Sequence, residues 1–366
     1  MKVAIYDTEH FETIYSLIRI WNTKDNEIHL FLPKNVEIVV RQLLKEKGEN
    51  CYWITKNENN LKYIIQIKNY IRQNHIDFLI LNTITYHHLL FAFLCKHLRI
   101  PVLLTVHDAN TTFDPKLQFS IRSFLRYAGK KALVKHVSGY ATLLSTTKEY
   151  IQEKFVKKKP VYVFPGAVYD PVQKINETDA VLRIVIPGTI ERKRRDYNEV
   201  IKLLNLIKPA MPIEFTLLGG CRHSEAREIV NTIEKLGSPL INIKTNHENF
   251  IPPEVYEEQL EKADFIFAPL VKVIVTNEKT KEVYGYTQTS GSFFDAVKAG
   301  KCLLIPAHIP VPDELAFQSY TYHSLEELAD LLSDTDPTLK NELKRKALKN
   351  SELFTPEAIR ARLPFF

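Results

Sequence analysis

The chain has 366 residues, enough for two domains that each bury a core of their own. With 45% hydrophobic and 25% charged residues it is globular, and its net charge of +6 suits a polyanionic small ligand, an anionic membrane surface or nucleic acid without choosing among them. No run approaches the ~20 apolar residues of a membrane span, and Asp7, Glu9 and Glu12 interrupt the first apolar run too early for a signal peptide, so a cytoplasmic location is expected.

Short apolar strand candidates alternate with helical patterns. The first set is Val3-Ile5, Ile28-Leu32, Cys51-Ile54, Phe78-Leu81, Val102-Val106, Ala141-Leu144 and Val161-Phe164, with helices over Leu61-Gln73 and Tyr86-His97. That alternation predicts a parallel sheet covered on both faces. The stretch from Pro165 to Ala180 carries prolines, a glycine and no apolar period, and reads as a linker, 166–180, after a first domain of 1–165. The pattern then restarts with strands Arg183-Ile186, Glu214-Leu218, Ile241-Ile243, Phe265-Ala268 and Leu303-Ile305. Helices Tyr197-Ile207, Glu225-Leu236, Glu254-Lys262 and Phe293-Ala299 lie between them. The expectation is an α/β protein of two doubly wound, Rossmann-like domains, 1–165 and 181–340, facing across a cleft. A charged helical tail, 341–366, ends in Leu363-Pro364-Phe365-Phe366 and is expected to dock back on the first domain.

The four cysteines, Cys51, Cys95, Cys221 and Cys302, form no CxxC pair and read as reduced. Three other places carry chemistry. The strand ending in Pro187-Gly188-Thr189 leads into Glu191-Arg192-Lys193-Arg194-Arg195, where backbone N–H groups and consecutive cations suit a diphosphate. In Thr287-Gln288-Thr289-Ser290-Gly291-Ser292, hydroxyl residues and a glycine open a helix, with Ser290 or Ser292 as its cap, Gly291 letting a ligand near the backbone, and Asp295 one turn in, within reach of ribose hydroxyls. The strand Val102-Val106 delivers His107 and Asp108 at its carboxyl end, and His10 and Glu12 stand after the first strand. No GxSxG, HExxH, P-loop or GxGxxG is present. Asp334-Thr335-Asp336 has the spacing of a metal-binding pair but sits in a polar turn near the tail, so no metal site is expected.

Taken in order, Val106-His107-Asp108, Val163-Phe164-Pro165-Gly166-Ala167, Pro187-Gly188-Thr189 with Arg194, Leu217-Leu218-Gly219-Gly220, Ala263-Asp264-Phe265-Ile266 and Asp295-Ala296 through Ala299-Gly300-Lys301 resemble the retaining GT-B glycosyltransferases of family four. The resemblance is densest over 183–306. It implies a nucleotide-sugar donor, no cofactor and no metal. His107 would contact the donor sugar, and Arg194 would be the principal cation on the diphosphate, with Arg192, Lys193 and Arg195 beside it. Gly291 and Ser292 would present N–H groups to phosphate, and Asp295 would hold the ribose. The family's first acidic position falls either on Thr287 or, with extra residues, on Glu282. His10, Glu12 and Asp108 would lie toward the acceptor.

From Leu117 to Val137, basic residues (Arg122, Arg126, Lys130, Lys131, Lys135) alternate with Phe119, Ile121, Phe124 and Leu125. Such a helix suits an anionic lipid surface on the inner face of a membrane, and with it a glycan or lipid-linked acceptor. A catalytically inactive GT-B-like subunit and a nucleotide-sugar epimerase are the competing readings. Nucleic acid is not expected, because the cations clustered at strand ends lack the interleaved aromatics of a stacking platform.

Overall fold

The computed structural model describes residues 1–48, 50–56, 60–171 and 181–366. The first sheet is built from β1 (Lys2–Tyr6), β2 (Glu27–Pro33), β3 (Cys51–Lys56), β4 (Phe78–Leu81), β5 (Val102–Val106), β6 (Gly139–Thr142) and β7 (Val161–Val163). Its order is β3-β2-β1-β4-β5-β6-β7, every pair parallel. Parallel strands need crossovers, and here helices supply them on both faces. α1 (Phe11–Trp21) and α2 (Lys34–Leu44) pack on one face with Val3, Ile5, Leu103 and Ala141. α3 (Asn60–Gln73), α4 (His88–His97), α5 (Ala109–Phe113), α6 (Ile121–His136) and α7 (Ser145–Lys154) follow in the chain. They cover the other face, where Ala4, Leu104 and Val106 point. Alternate residues of β5 thus enter different cores, as the period of two requires.

The second sheet repeats the scheme with β8 (Leu182–Pro187), β9 (Ile213–Leu218), β10 (Ile241–Lys244), β11 (Phe265–Phe267), β14 (Cys302–Pro306) and β15 (Ser319–Tyr322). Its order is β10-β9-β8-β11-β14-β15, again parallel. β12 (Val273–Val275) and β13 (Lys281–Val283) form a separate antiparallel hairpin that the apolar pattern does not announce. α8 (Tyr197–Leu206), α9 (Ser224–Glu234) and α13 (Leu325–Asp334) lie on one face of the sheet. α10 (Pro253–Lys262), α11 (Gly291–Ala299) and the short α12 (Asp313–Ala316) lie on the other.

α14 (Pro337–Ser351) stays with the second domain: Lys340 pairs with Asp264 at 2.8 Å and Ala347 is fully buried in that core. The chain crosses over only after residue 351. α15 (Pro356–Arg360) then places Ile359 and Leu363 in the first domain's core. Phe365 lies 5.4 Å from Trp21 and 4.8 Å from Tyr162, ring centre to ring centre. Arg360 donates to the carbonyls closing α1. Of the expected linker, residues 172–180 lie outside the described residues. Asp336 of the Asp334-Thr335-Asp336 run caps α14 by accepting the Leu339 N–H at 2.8 Å, and no group of potential metal ligands occurs among the described residues.

Candidate functional site

In an open parallel sheet the strand order reverses at one point, and the loops leaving the carboxyl ends there diverge to form a crevice. The reversals fall between β1 and β4 and between β8 and β11. On the second domain, β8 runs into Gly188, whose φ of +94° suits glycine. A side chain at Gly188 would stand 2.5 Å from Nη2 of Arg195, and one at Gly219 would stand 2.3 Å from the Gly188 carbonyl oxygen. Both glycines therefore make room, one for a cation and one for the turn itself.

Arg195 folds back over Gly188. Its guanidinium donates to the Pro187 carbonyl, to the Thr189 carbonyl at 3.0 Å and to Oγ of Ser292 at 3.3 Å. The residue is 5% exposed, and its Nε–H has no partner among the described residues. The other cations of the run lie outside the turn. Arg192 donates to Glu228 at 2.9 Å, and Lys193 pairs with Glu191 at 3.2 Å. Arg194 donates to Glu191 at 3.1 Å and hydrogen-bonds Tyr284. Burial works against its charge, but Tyr284 and Glu191 outweigh it and hold its pKa above the ordinary value. The cation packed into the turn is thus Arg195, one residue beyond the expected Arg194. The cause is local: Asp196 caps α8, accepting from Asn198 and Glu199, which fixes residue 195 inward against Leu270.

α11 begins beside this guanidinium. Ser290 caps it by accepting the Ser292 N–H at 3.4 Å, and Ser292 is fully buried. Apart from its chain neighbours and the backbone of its own helix, no atom of the described residues lies within 4 Å of a side-chain carbon built on Gly291, so this position faces open space. Asp295, one turn on, accepts the Tyr256 hydroxyl at 3.0 Å. Burial pushes its carboxyl up to about 7, with Tyr256 and Lys298 pulling the other way. No local pattern marks Tyr256; only the packing of α10 on α11 brings it to Asp295.

The facing wall comes from the first domain. Asp7, fully buried after β1, accepts the His10 N–H at 2.8 Å and the Asn82 amide at 2.7 Å, so it fixes the turn into α1. His10 and His107 stack at 4.5 Å between ring centres, and Thr83 reaches both rings. Burial, and then His10, lower the His107 pKa to about 3, so the ring is neutral and its Nε2–H donates to the Asn82 carbonyl at 3.0 Å. Asp108 is raised to about 6, by burial and then by Glu282, and its buried Oδ1 has no partner among the described residues. Arg194 draws Asp108 down, and Lys298 draws Glu12 down, so the walls face one another. The Lys298 ammonium also stands 5.7 Å from the ring centre of Tyr15. Glu12 opens to solvent, yet its pKa is raised, first by desolvation between the two domains.

Neither candidate for a first acidic position offers a free group. Glu282 is fully buried, and its oxygens accept from Asn110 and Thr111 of the first domain. Oγ1 of Thr287 accepts the Val283 N–H at 2.8 Å, and its carbonyl accepts the Ala109 N–H at 2.9 Å. The two residues sit in and after a hairpin that reaches across to the first domain, a consequence of folding that spacing does not encode.

A cavity of about 590 Å³ adjoins the glycine turn. Leu218 lines it and accepts the Gly188 N–H at 2.9 Å; Thr245, Asn246, Phe250 and Ile251 form its far side at the carboxyl end of β10.

This arrangement, two parallel doubly wound sheets with their reversal points opposed, defines a GT-B protein. Residues 12–170, less than half of the chain, match the family model "Glycosyltransferase Family 4". That match lies outside 183–306, where the motif resemblance is densest. A glycosyltransferase from Rickettsia africae superposes with a TM-score of 0.63 at 13% identity, over 98% of this chain and 96% of that one. Anabaena HepE in complex with UDP gives 0.62 at 13% identity, over 99% and 98%. Sucrose-phosphate synthase of Thermosynechococcus elongatus gives 0.62 at 12% identity, over 99% and 96%. Identities this low establish the fold. No curated protein matches the chain by sequence.

Proposed function

We propose that the chain is a metal-independent glycosyltransferase that moves a sugar from a nucleotide-sugar donor to a glycan or lipid-linked acceptor. The observation that carries this reading is the buried Arg195 guanidinium, whose Nε–H has no partner among the described residues, set over Gly188 beside the open N-terminus of α11. A buried cation and free backbone N–H groups converging on one turn fit a diphosphate. HepE, of the same fold, holds UDP. Asp295 would take the ribose, and the adjoining cavity the base.

In the step that follows, the bond from the sugar's anomeric carbon to the diphosphate oxygen breaks. The acceptor oxygen bonds to that carbon from the same face, and its proton passes to the departing phosphate, which retains the configuration. Arg195, Arg194 and the α11 N–H groups stabilise the charge that builds on the leaving group. His107, neutral at physiological pH, serves as a hydrogen-bonding contact for the sugar. The test is calorimetry with UDP, GDP and ADP, followed by donor hydrolysis and transfer assays with and without EDTA. Binding with no turnover across donors would instead favour an inactive nucleotide-binding subunit. That second reading draws support from the engagement of both Glu282 and Thr287.

The acceptor side of this proposal includes an anionic membrane surface. No Asp or Glu occurs between residues 115 and 148 or between 78 and 107, the segments that supply α6 and α4. The two helices approach closely at Gly129, where an added side chain would meet the Leu89 backbone at 2.5 Å. Phe119, Ile121, Phe124 and Leu125 are exposed there beside Arg122, and Phe93 is 60% exposed on α4. Of the basic residues, Arg122 is exposed beside these groups, whereas Arg126 and Lys130 pair with Glu278 of the second domain and Lys131 lies 3.9 Å from Asp114, so the apolar groups and Arg122 would meet an anionic lipid surface. A role in envelope polysaccharide synthesis, on the cytoplasmic side, would follow. Among the described residues no helix is long and apolar enough to cross a membrane.

A further inference from the structure

The first N–H groups of a helix have no partner within it and must find one elsewhere. α5 begins directly after His107 and Asp108. Asp108 stands at its N-cap position but makes no side-chain cap hydrogen bond. Instead the opposite domain satisfies the N–H groups of its first three residues. Ala109 donates to the Thr287 carbonyl at 2.9 Å. Asn110 and Thr111 donate to the two carboxylate oxygens of Glu282 at 3.3 and 2.7 Å, and the Thr111 hydroxyl adds a bond at 2.8 Å. The Asn110 side chain donates to the Lys281 carbonyl at 3.0 Å, and Glu278, at the tip of the same hairpin, accepts from Lys130 at 2.7 Å.

We infer that Glu282 is a positioning residue: it caps α5 from across the cleft and thereby ties the placement of His107 and Asp108 to the closed arrangement of the two domains. The physical reason is the cost of separation. A buried carboxylate is tolerated only with its lone pairs filled, and a helix start only with its N–H groups paired. Opening the cleft removes both sets of partners together, so α5 and the strand end before it lose their restraint when the hairpin departs. Glu282 therefore acts through backbone contacts and does not touch the donor. The claim about His107 and Asp108 rests on the proposed function; the capping stands without it.

The test uses the full chain carrying Glu282→Ala or Glu282→Gln. It reads hydrogen exchange at Ala109, Asn110 and Thr111, small-angle scattering, nucleotide affinity and turnover. In a folded Glu282→Ala variant the Asn110 and Thr111 amides should exchange at least about tenfold faster and the scattering radius should grow. Turnover should fall about tenfold or more while UDP affinity stays within about twofold. Glu282→Gln keeps one acceptor oxygen, and in it one of the two amides should stay protected; this variant decides the matter if the alanine form does not fold. Unchanged exchange at both amides in either folded variant overturns the inference. So does a loss of nucleotide affinity that tracks turnover with exchange unaltered, which would make Glu282 a donor ligand. If the unsubstituted protein turns over no donor, the proposed function fails, and the exchange data still decide the capping.

Discussion

At the residue scale the distribution of charge around Gly188 separates four neighbouring cations. Arg195→Ala removes a buried guanidinium from the turn and should weaken nucleoside-diphosphate binding by about 1.5–3 kcal/mol, the range for a charged hydrogen bond. Arg192→Ala, on a side chain that already pairs with Glu228, should leave affinity nearly unchanged by calorimetry. Gly291 provides a sharper test, because a methyl group there meets nothing within 4 Å. Gly291→Ala should keep or slightly raise the melting temperature while lowering nucleotide affinity, since the methyl would occupy the space proposed for phosphate. The buried acid Asp295 makes a pH prediction. Its carboxyl is raised from 3.8 to about 7, so the folded state holds the proton more tightly than the unfolded one. The resulting stability is complete below pH 3.8 and is lost as pH rises through 7. Asp295→Asn should therefore stabilise the protein at pH 8 by about 1–2 kcal/mol, discounted for partial solvent access, and far less at pH 4, by chemical denaturation. His107 works oppositely: with its pKa lowered from 6.5 to about 3, its contribution is complete above 6.5 and is lost as pH falls toward 3.

Elements show which of these features are legible in sequence. Phe78–Leu81 and Val102–Val106 appear as apolar runs with the observed boundaries, because strands buried on both faces admit little else. Ser290, Gly291 and Asp295 are legible for a different reason, since capping chemistry and helical spacing are local. The hairpin of β12 and β13 is not: its outward residues, Val273 and Val275, are exposed, and its partner surface belongs to residues about 170 positions away. The choice between Arg194 and Arg195 is likewise hidden, because a turn rather than a periodic element decides which side chain goes inward. The carboxyl-terminal element carries its own prediction. Phe365 meets Trp21, Phe78, Tyr162 and Phe164. Deleting residues 356–366 should lower the melting temperature and expose Trp21, seen as a red shift in its fluorescence. An unchanged spectrum would mean that the tail does not cover the indole in solution.

At the scale of the molecule, two sheets built by the same winding rule bring a stacked histidine pair and a buried arginine to opposite sides of one crevice. The sequence carries the rule twice, as alternating strands and helices, and so the two domains can be read from it. It does not carry their relative placement, which depends on contacts such as Glu282 with Thr111 and Phe365 with Trp21. The exposed apolar groups on α6 and just before it predict a second behaviour of the whole protein. It should co-sediment with vesicles containing anionic lipid at low salt, and a Phe119→Ser, Ile121→Ser variant should remain in the supernatant. Equal binding to neutral vesicles would remove the electrostatic part of that proposal. Whether the turn at Gly188 receives the diphosphate of a nucleotide sugar, as proposed, is decided by titrating UDP, GDP and ADP into the unsubstituted protein and into a folded Arg195→Ala variant. At least one nucleotide should bind, and its affinity should fall about tenfold or more in the variant. Equal affinity in both proteins, or no binding of any nucleotide, would contradict the proposal.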